Sequence, residues 1–532
     1  MRYMAGESTK LHARRHNFGL PAGTWEKFSG KNNEPIDNRR KATHTPFSGN
    51  FILKRRILRE IFSQNVAFLE IICYFLYRRN KMLLNFTVSN WKSFKGRTSL
   101  SMIASKEKQH ANHIQYLPEY KLNVLPIAVV FGANAAGKSN LVKAIEFAVG
   151  QITSTDFDPY HKEMVDTFRI DPDYSSKNSE FEFTFTIDDQ MYHYRFALTP
   201  EGYVAWEKLE RARGKRLKVV FERDESNAFN FESSMPKEAR NAIQGTLRQR
   251  LALSYMQIQD VPGLEELKKI YFWFRFKLVV LTPASRLIRF TDKTMPTDKL
   301  SMVLHKLDTS IEKIDFKPFN DYSNFFTKDY IADIVRILSS GTINVLAMGN
   351  NDDFYRFEFL NGELKCYKMI SYHRGTNGTL VPFEISENSD GTRRCLHLFP
   401  AFNDLVSIGS DCCYVIDELD RSLHTNLVKQ LLASFLETRN QDTRSQLVLT
   451  NHDIEQMDQD VLRRDEIWIA ERSAEFGSTE LSSLDEFIIK EAKIRKDRNL
   501  PKLYLDGCLG GVPNIESYAN LFDYANEESD GQ

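Results

Sequence analysis

Residues 132–139 read Gly-Ala-Asn-Ala-Ala-Gly-Lys-Ser and follow the apolar run 124–131, Val-Leu-Pro-Ile-Ala-Val-Val-Phe. A buried strand that enters Gly-x4-Gly-Lys-Ser and leaves into the helix-like stretch 140–149 is a phosphate-binding loop in a strand–loop–helix unit. Gly132 and Gly137 let the backbone turn so that the amides of Ala133, Asn134, Ala135 and Ala136 face a pyrophosphate. The helix start at Asn140 adds its positive dipole end. Lys138 has the reach for the β- and γ-phosphates, and the hydroxyl of Ser139 suits Mg²⁺. A guanine nucleotide would need Asn-Lys-x-Asp, which the chain lacks, so ATP with Mg²⁺ is the expected ligand.

The second half of the chain supplies what such a loop needs for hydrolysis. The run 412–418, Cys-Cys-Tyr-Val-Ile-Asp-Glu, is a short apolar strand ending in two carboxylates. A strand end fixes both side chains at the edge of the sheet beside the phosphate loop. Asp417 would hold Mg²⁺ through water, and Glu418 would polarise the attacking water as general base. In isolation a strand followed by an acidic turn is commonplace; the phosphate loop upstream gives it meaning. A further apolar strand, 446–450, ends before Asn451-His452-Asp453, which puts His452 where a γ-phosphate sensor belongs. Between the halves, Ser389-Asp390-Gly391-Thr392 opens a helix-like run and offers a second anion-binding nest.

A length of 532 residues, 42% of them hydrophobic and 12% aromatic, supports two to four compact units with ordinary cores. No stretch is long and clean enough to span a bilayer. The nearest, 66–77, is short and contains Glu70, which reads as a packed amphipathic helix. Six cysteines show neither metal-ligand spacing nor a disulfide framework, which fits a reducing cytoplasm. The neutral total hides an asymmetry: residues 1–81 hold 16 Lys and Arg against 6 Asp and Glu, a charge of +10 that the remainder balances. Such an arm is either an accessory extension suited to nucleic acid or an acidic partner, or a product of too early a start codon.

The pattern divides the chain into the basic extension 1–81, an N-terminal lobe 82–232, a helical insertion 233–350, a C-terminal lobe 351–515 and a flexible tail 516–532. Strands are expected at 84–88 and 98–102, and antiparallel strands between 178 and 232. The aromatic-rich segment 271–281 reads as core and not as a base-stacking platform. A strand pair is expected near 354–370, and alternating helix and strand after Gly391.

The set of motifs resembles an ABC-type ATPase head of the SMC/Rad50/OLD-like branch (AAA15/AAA21). Further likeness lies in 85–94, Asn-Phe-Thr-Val-Ser-Asn-Trp-Lys-Ser-Phe, and in 416–424, 465–469 and 504–513. Within the branch the chain is most similar to the PtuA-like ATPases of Septu and retron-associated antiphage defence. The resemblance implies an α/β fold with a P-loop parallel sheet core, an antiparallel β subdomain and a helical insertion. It also implies that two heads pair head to tail, as a homodimer or higher oligomer. Ser389 and Gly391 would then contact the γ-phosphate in trans, Glu418 and His452 would act in cis, and Asp420 would lie at the dimer seam. Trp91 and Lys92 would flank the base. The signature departs from the usual Leu-Ser-Gly-Gly-Gln, Asp390 placing a carboxylate near the phosphates, and Gln151 is a weak candidate for the family's Q-loop glutamine.

The function expected from this is an ATPase sensor or regulatory subunit of a prokaryotic antiviral complex. Its dimer state would control a separate nuclease effector of the HNH, PtuB-like type, with nucleic acid, including reverse-transcriptase-associated nucleic acid, as a further partner and no membrane. The alternative is an SMC/Rad50-like DNA-binding ATPase in repair or maintenance. That reading would want a heptad-rich insertion with a metal-hook Cys-x-x-Cys, and neither occurs between 150 and 385. An OLD-type nuclease would need a metal-binding domain after His452, where no carboxylate cluster of that type appears. The basic residues Lys490, Lys493, Arg495, Lys496, Arg498 and Lys502 read first as a solvated helix face.

Overall fold

The computed structural model describes residues 81–512, apart from 155–163, 215, 291–295, 308, 340–343, 441–442, 490–491 and 494–497. The stretch 66–77, the tail 516–532, Lys490, Arg495, Lys496 and all of the basic arm but Lys81 lie outside the described residues.

The phosphate-loop strand, Ile127–Phe131, is fully buried along its length, as an apolar run covered on both faces must be. It sits inside a six-stranded sheet ordered Leu278–Leu281, Cys413–Ile416, Gln446–Thr450, Ile127–Phe131, Ile467–Arg472 and Thr479–Ser483. The first five strands run parallel and the last returns antiparallel. Alternation of side chains across the pleat splits this sheet between two cores. Ala128, Val130, Val415, Val448 and Trp468 face the helix Lys138–Thr153 and, beyond it, Phe181, Phe183 and Phe185 of an antiparallel sheet. Val129, Phe131, Ile416, Leu447 and Leu449 face the helices Asp390–Leu405 and Thr425–Glu437. The helix carrying Lys138 is therefore wedged between two sheets, and its first turn emerges at the carboxyl edge of the parallel one.

The antiparallel sheet has seven strands, ordered Phe229–Phe231, Arg216–Arg223, Val204–Arg213, Gln190–Leu198, Ser179–Ile187, Met82–Ser89 and Thr98–Ser101. This agrees with the alternating runs at 84–88, 98–102 and 178–232. A third sheet joins Leu287–Phe290, Asn344–Met348, Phe354–Leu360, Glu363–Arg374 and Ile311–Pro318, with Leu380–Glu384 alongside Glu363–Arg374. The α/β expectation holds.

The stretch 233–350 departs from its helical reading. Among its described residues it holds the helices Lys237–Gln244, Glu265–Phe276, Thr297–Lys306 and Lys328–Ser339, but also four strands, one of which lies in the central sheet. The aromatic-rich segment breaks at Lys277: Tyr271, Trp273 and Phe274 are core residues of a helix, whereas Leu-Val-Val-Leu at 278–281 pairs with the strand of Asp417. A four-residue run rich in valine inside a helical neighbourhood carries too little periodicity to announce a strand, so the sheet decides. No helix among the described residues is long and apolar enough to cross a membrane.

Candidate nucleotide site

The phosphate loop is held in shape by distant parts of the chain. Gly132 has φ +153° and Gly137 φ +99°. A Cβ on Gly132 would collide with the carbonyl oxygen of Ala470, and one on Gly137 with Thr479 Oγ1 and Ser93 Oγ, so sterics as well as φ demand glycine at both. Thr479 Oγ1 bonds Ala136 O at 2.9 Å and Ser93 Oγ at 2.7 Å, and Asn140 Nδ2 donates to that same Ser93 Oγ at 2.8 Å. Ala133 N donates to Gly511 O at 2.8 Å. Asn134 and Ala135 lie exposed on the loop, Ala135 with φ +62°, and Ser139 is half-buried in the first helical turn. Lys138 is 4% exposed, and its Nζ donates to Gly132 O at 2.7 Å and Ala133 O at 3.0 Å. Burial pushes its amine below the usual lysine range, against the pull of Asp420, Asp417 and Glu418.

Those three carboxylates come from the end of Cys413–Ile416. This strand is not the immediate neighbour of the phosphate-loop strand, because Gln446–Thr450 lies between them. The intervening strand contributes Thr450, fully buried, whose hydroxyl donates to Asp417 Oδ1 at 2.6 Å and accepts from Glu418 N at 2.8 Å. Glu418 has φ +48°, a left-handed conformation unusual for a residue with a side chain. Its Oε1 stands 4.0 Å from His452 Nε2, both side chains partly exposed at the rim. Asp420 Oδ2 accepts from His452 N at 2.9 Å and Asp453 N at 3.0 Å, tying the two loops together.

Ser389 caps the helix Asp390–Leu405, accepting from Thr392 N at 3.2 Å. Its side chain bonds Thr392, not any residue of the phosphate loop. A Cβ on Gly391 would come within 2.8 Å of Ser422 O, so this helix start leans on the loop that carries Asp420. Asp390 pairs with Arg393, which also reaches Asp352.

The structure thus gathers Lys138, Asp417, Glu418, Asp420 and His452 along one sheet edge and sets Ser389 and Gly391 on its flank. Two expectations are corrected. Trp91 is 2% exposed and packs on Phe147 and Phe181, so its ring is a core element and does not present a face to a base. Lys92 pairs with Asp166 at 3.1 Å. Gln151 lies thirteen residues along the phosphate-loop helix from Lys138, about 20 Å at 1.5 Å per residue, too far to meet the phosphates. Thr450, Ser93, Thr479 and Arg394 were missed: a threonine ending a strand and a serine in a turn carry no signal until the sheet order is known. The hard oxygens of Ser139 and Asp417, one at the helix start and one at a strand end with an oxygen not taken by Thr450, form a donor set that fits Mg²⁺.

A family described as "AAA domain, putative AbiEii toxin, Type IV TA system" matches residues 127–458, more than half of the chain and the whole span from the phosphate-loop strand past His452. No curated protein matches the chain. Among solved structures, one similar chain is that of the "Crystal structure of the SmcHead bound to the C-winged helix domain of ScpA". It is 13% identical with a TM-score of 0.35, over 77% of this chain and 99% of that one.

Proposed function

The chain belongs to this family of AAA-domain ATPases, and from there we propose that it hydrolyses ATP at a site shared between two copies and uses the cycle to control a separate effector. Lys138 and the loop amides would bind the β- and γ-phosphates, and Glu418 would take the proton of the attacking water. Ser139 and Asp417 would hold Mg²⁺, which when bound neutralises charge on the phosphate oxygens. His452, tied through its backbone to Asp420, would sense the γ-phosphate in cis. Ser389 and Gly391 would meet the γ-phosphate of the other copy, a reading supported by the absence of any bond between Ser389 and its own phosphate loop. The lobe boundaries at 82, 233, 351 and 515 belong to the same proposal.

The observation that carries the reading is the Thr450 hydroxyl, which fixes Asp417 and Glu418 at once and leaves the Glu418 carboxylate at the rim beside His452. A core interaction alone would not aim a carboxylate outwards from a strained backbone. The effector would be a nuclease of the HNH type in a cytoplasmic antiphage system, as the likeness to Septu and retron ATPases suggests.

The test is Glu418→Gln beside Lys138→Ala. Glu418→Gln should bind ATP, accumulate nucleotide-dependent dimer by light scattering and lose turnover; Lys138→Ala should lose both binding and dimer. Undiminished hydrolysis in Glu418→Gln removes Glu418 as base, and an ATP-independent mass distribution in the wild type removes the shared site.

A further inference from the structure

Five residues beyond Ser389, Arg394 points inward from the helix Asp390–Leu405, 8% exposed. Its Nη2 donates to two successive backbone carbonyls, Asp417 O at 3.1 Å and Glu418 O at 2.9 Å. Its Nη1 donates to His397 Nδ1 at 3.1 Å, and His397 Nε2 in turn faces Ser285 O at 3.0 Å. That geometry makes His397 a neutral acceptor toward Arg394, consistent with burial and the adjacent guanidinium holding its pKa at about 4. Among the described residues no carboxylate stands within ion-pair distance of the guanidinium, so this buried cation is held by two carbonyls and a neutral imidazole, with its Nε left without a partner. Desolvation and the nearby Arg421 bring it down to about 10, although Glu418, Asp417 and Asp420 oppose this. Burying such a group is costly, and a helix that only had to pack here would be better served by an apolar side chain.

What the guanidinium holds is the peptide that aims Glu418. The N–H of that residue is fixed by Thr450, and its C=O accepts from Arg394 and from Arg421 N at 3.2 Å, so its φ of +48° is gripped at both ends and Arg394 is the one grip that comes from the Ser389 helix. The same helix touches the following loop a second time, where Gly391 abuts Ser422 O. The helix start that carries Ser389 is therefore braced at two points against the loop 418–422.

We infer that Arg394 is the positioning residue through which a phosphate seated on the Ser389–Gly391 helix start sets the orientation of Glu418. This rests on the reading of Glu418 as general base. A γ-phosphate from the second copy that draws the helix start by a fraction of an ångström moves the guanidinium with it. The Glu418 peptide turns, and the carboxylate swings toward the attacking water only when both copies are engaged. Hydrolysis by an isolated copy is thereby suppressed without any change in its grip on ATP.

The experiment compares Arg394→Met and Arg394→Lys with the wild type and with Glu418→Gln. It follows a fluorescent ATP analogue for affinity, light scattering for the dimer, and single-turnover hydrolysis. Arg394→Met should keep the dissociation constant and the ATP-dependent dimer within about twofold and lose on the order of 10- to 100-fold in kcat. Arg394→Lys, with one donor group in place of the fork, should fall between. Wild-type kcat in Arg394→Met, or a parallel loss of affinity, dimer and kcat, overturns the inference; where the Met variant does not fold, Arg394→Lys decides by the same split. Turnover retained in Glu418→Gln brings down the base assignment itself, whereas an inactive Glu418→Gln beside a fully active Arg394→Met brings down only the role of Arg394.

Discussion

Replacing Thr450 by valine keeps the shape of a fully buried side chain and deletes one oxygen. That oxygen donates to Asp417 Oδ1 at 2.6 Å and accepts from Glu418 N at 2.8 Å. Valine strands a buried carboxylate oxygen and a backbone amide together. An unmade bond at a buried group costs roughly 1–3 kcal/mol, and more where the group is charged, so the loss is about 3–5 kcal/mol. Serine keeps the hydroxyl and gives up a methyl group, worth about 1 kcal/mol. The expected order of unfolding midpoints in urea is wild type, then Thr450→Ser, then Thr450→Val, with a gap of about 2–4 kcal/mol between the two variants. Activity should split the same way. Without its anchor the left-handed Glu418 relaxes, recovering strain on the order of 1 kcal/mol, and single-turnover hydrolysis drops at least about tenfold in the valine variant while serine stays near wild type. A valine variant as stable and as active as the serine one refutes the argument, because the methyl and not the hydroxyl would then be what the site uses.

Glycine substitutions separate the phosphate loop from the helix it feeds. Gly137→Ala should lose at least about tenfold in ATP affinity by titration, since its Cβ falls on Thr479 and Ser93 at φ +99°. Gly150→Ala, in the same helix with nothing within 4 Å of its Cβ, should raise stability by about 0.5–1 kcal/mol and leave affinity alone. On the antiparallel sheet, burial pushes the Glu182 carboxyl up, but hydrogen bonds from His193 and Arg97 outweigh it and hold the group at about 2. A depressed carboxylate contributes stability that is complete above its unfolded pKa near 4.5 and is lost as pH falls toward 2. Glu182→Gln should therefore flatten the acid limb of the stability profile between those values, read by intrinsic fluorescence. It should also remove part of the stability that His193, held against burial above its ordinary value by Glu182 and Glu210, loses as pH rises through its folded pKa.

Which parts could be read from the chain follows from the range over which each signal acts. The strand Ile127–Phe131, its glycine loop and the helix from Lys138 form one continuous stretch, so residue order alone specifies them. The Asp417–Glu418 strand end is equally local. Thr450 is different: its importance depends on Gln446–Thr450 being inserted between two strands that the motifs suggest as neighbours, and sheet order is a property of long-range packing. Arg393 and Arg394 show the same limit within one helix. As adjacent basic residues they look alike in sequence, yet Arg393 reaches the exposed Asp390 and Asp352 while Arg394 turns inward to carbonyls. Trp91 misled in the opposite direction, the resemblance placing it beside a base where Phe147 and Phe181 bury it.

The two glycines of the phosphate loop explain why an eight-residue motif needs a whole molecule. Gly132 abuts Ala470, within one strand of the hairpin Ile467–Arg472 and Thr479–Ser483, and Gly137 abuts Thr479, at the start of the other. Ala133 is bonded to Gly511, whose carbonyl also accepts from Tyr504, so a third element from the end of the described chain closes on the same turn. Ser93 comes from the opposite end, in the turn after the first strand of the antiparallel sheet. The loop holds its shape because residues separated by almost four hundred positions press on it from behind, and two of its amides, Ala133 N and Ala136 N, are bonded to Gly511 O and Ala133 O and so do not face outward. A shift of the terminal hairpin or of the Ser93 turn therefore reaches the phosphates through a single layer of atoms, and nucleotide affinity becomes a readout of how the two sheets are seated on the helix between them.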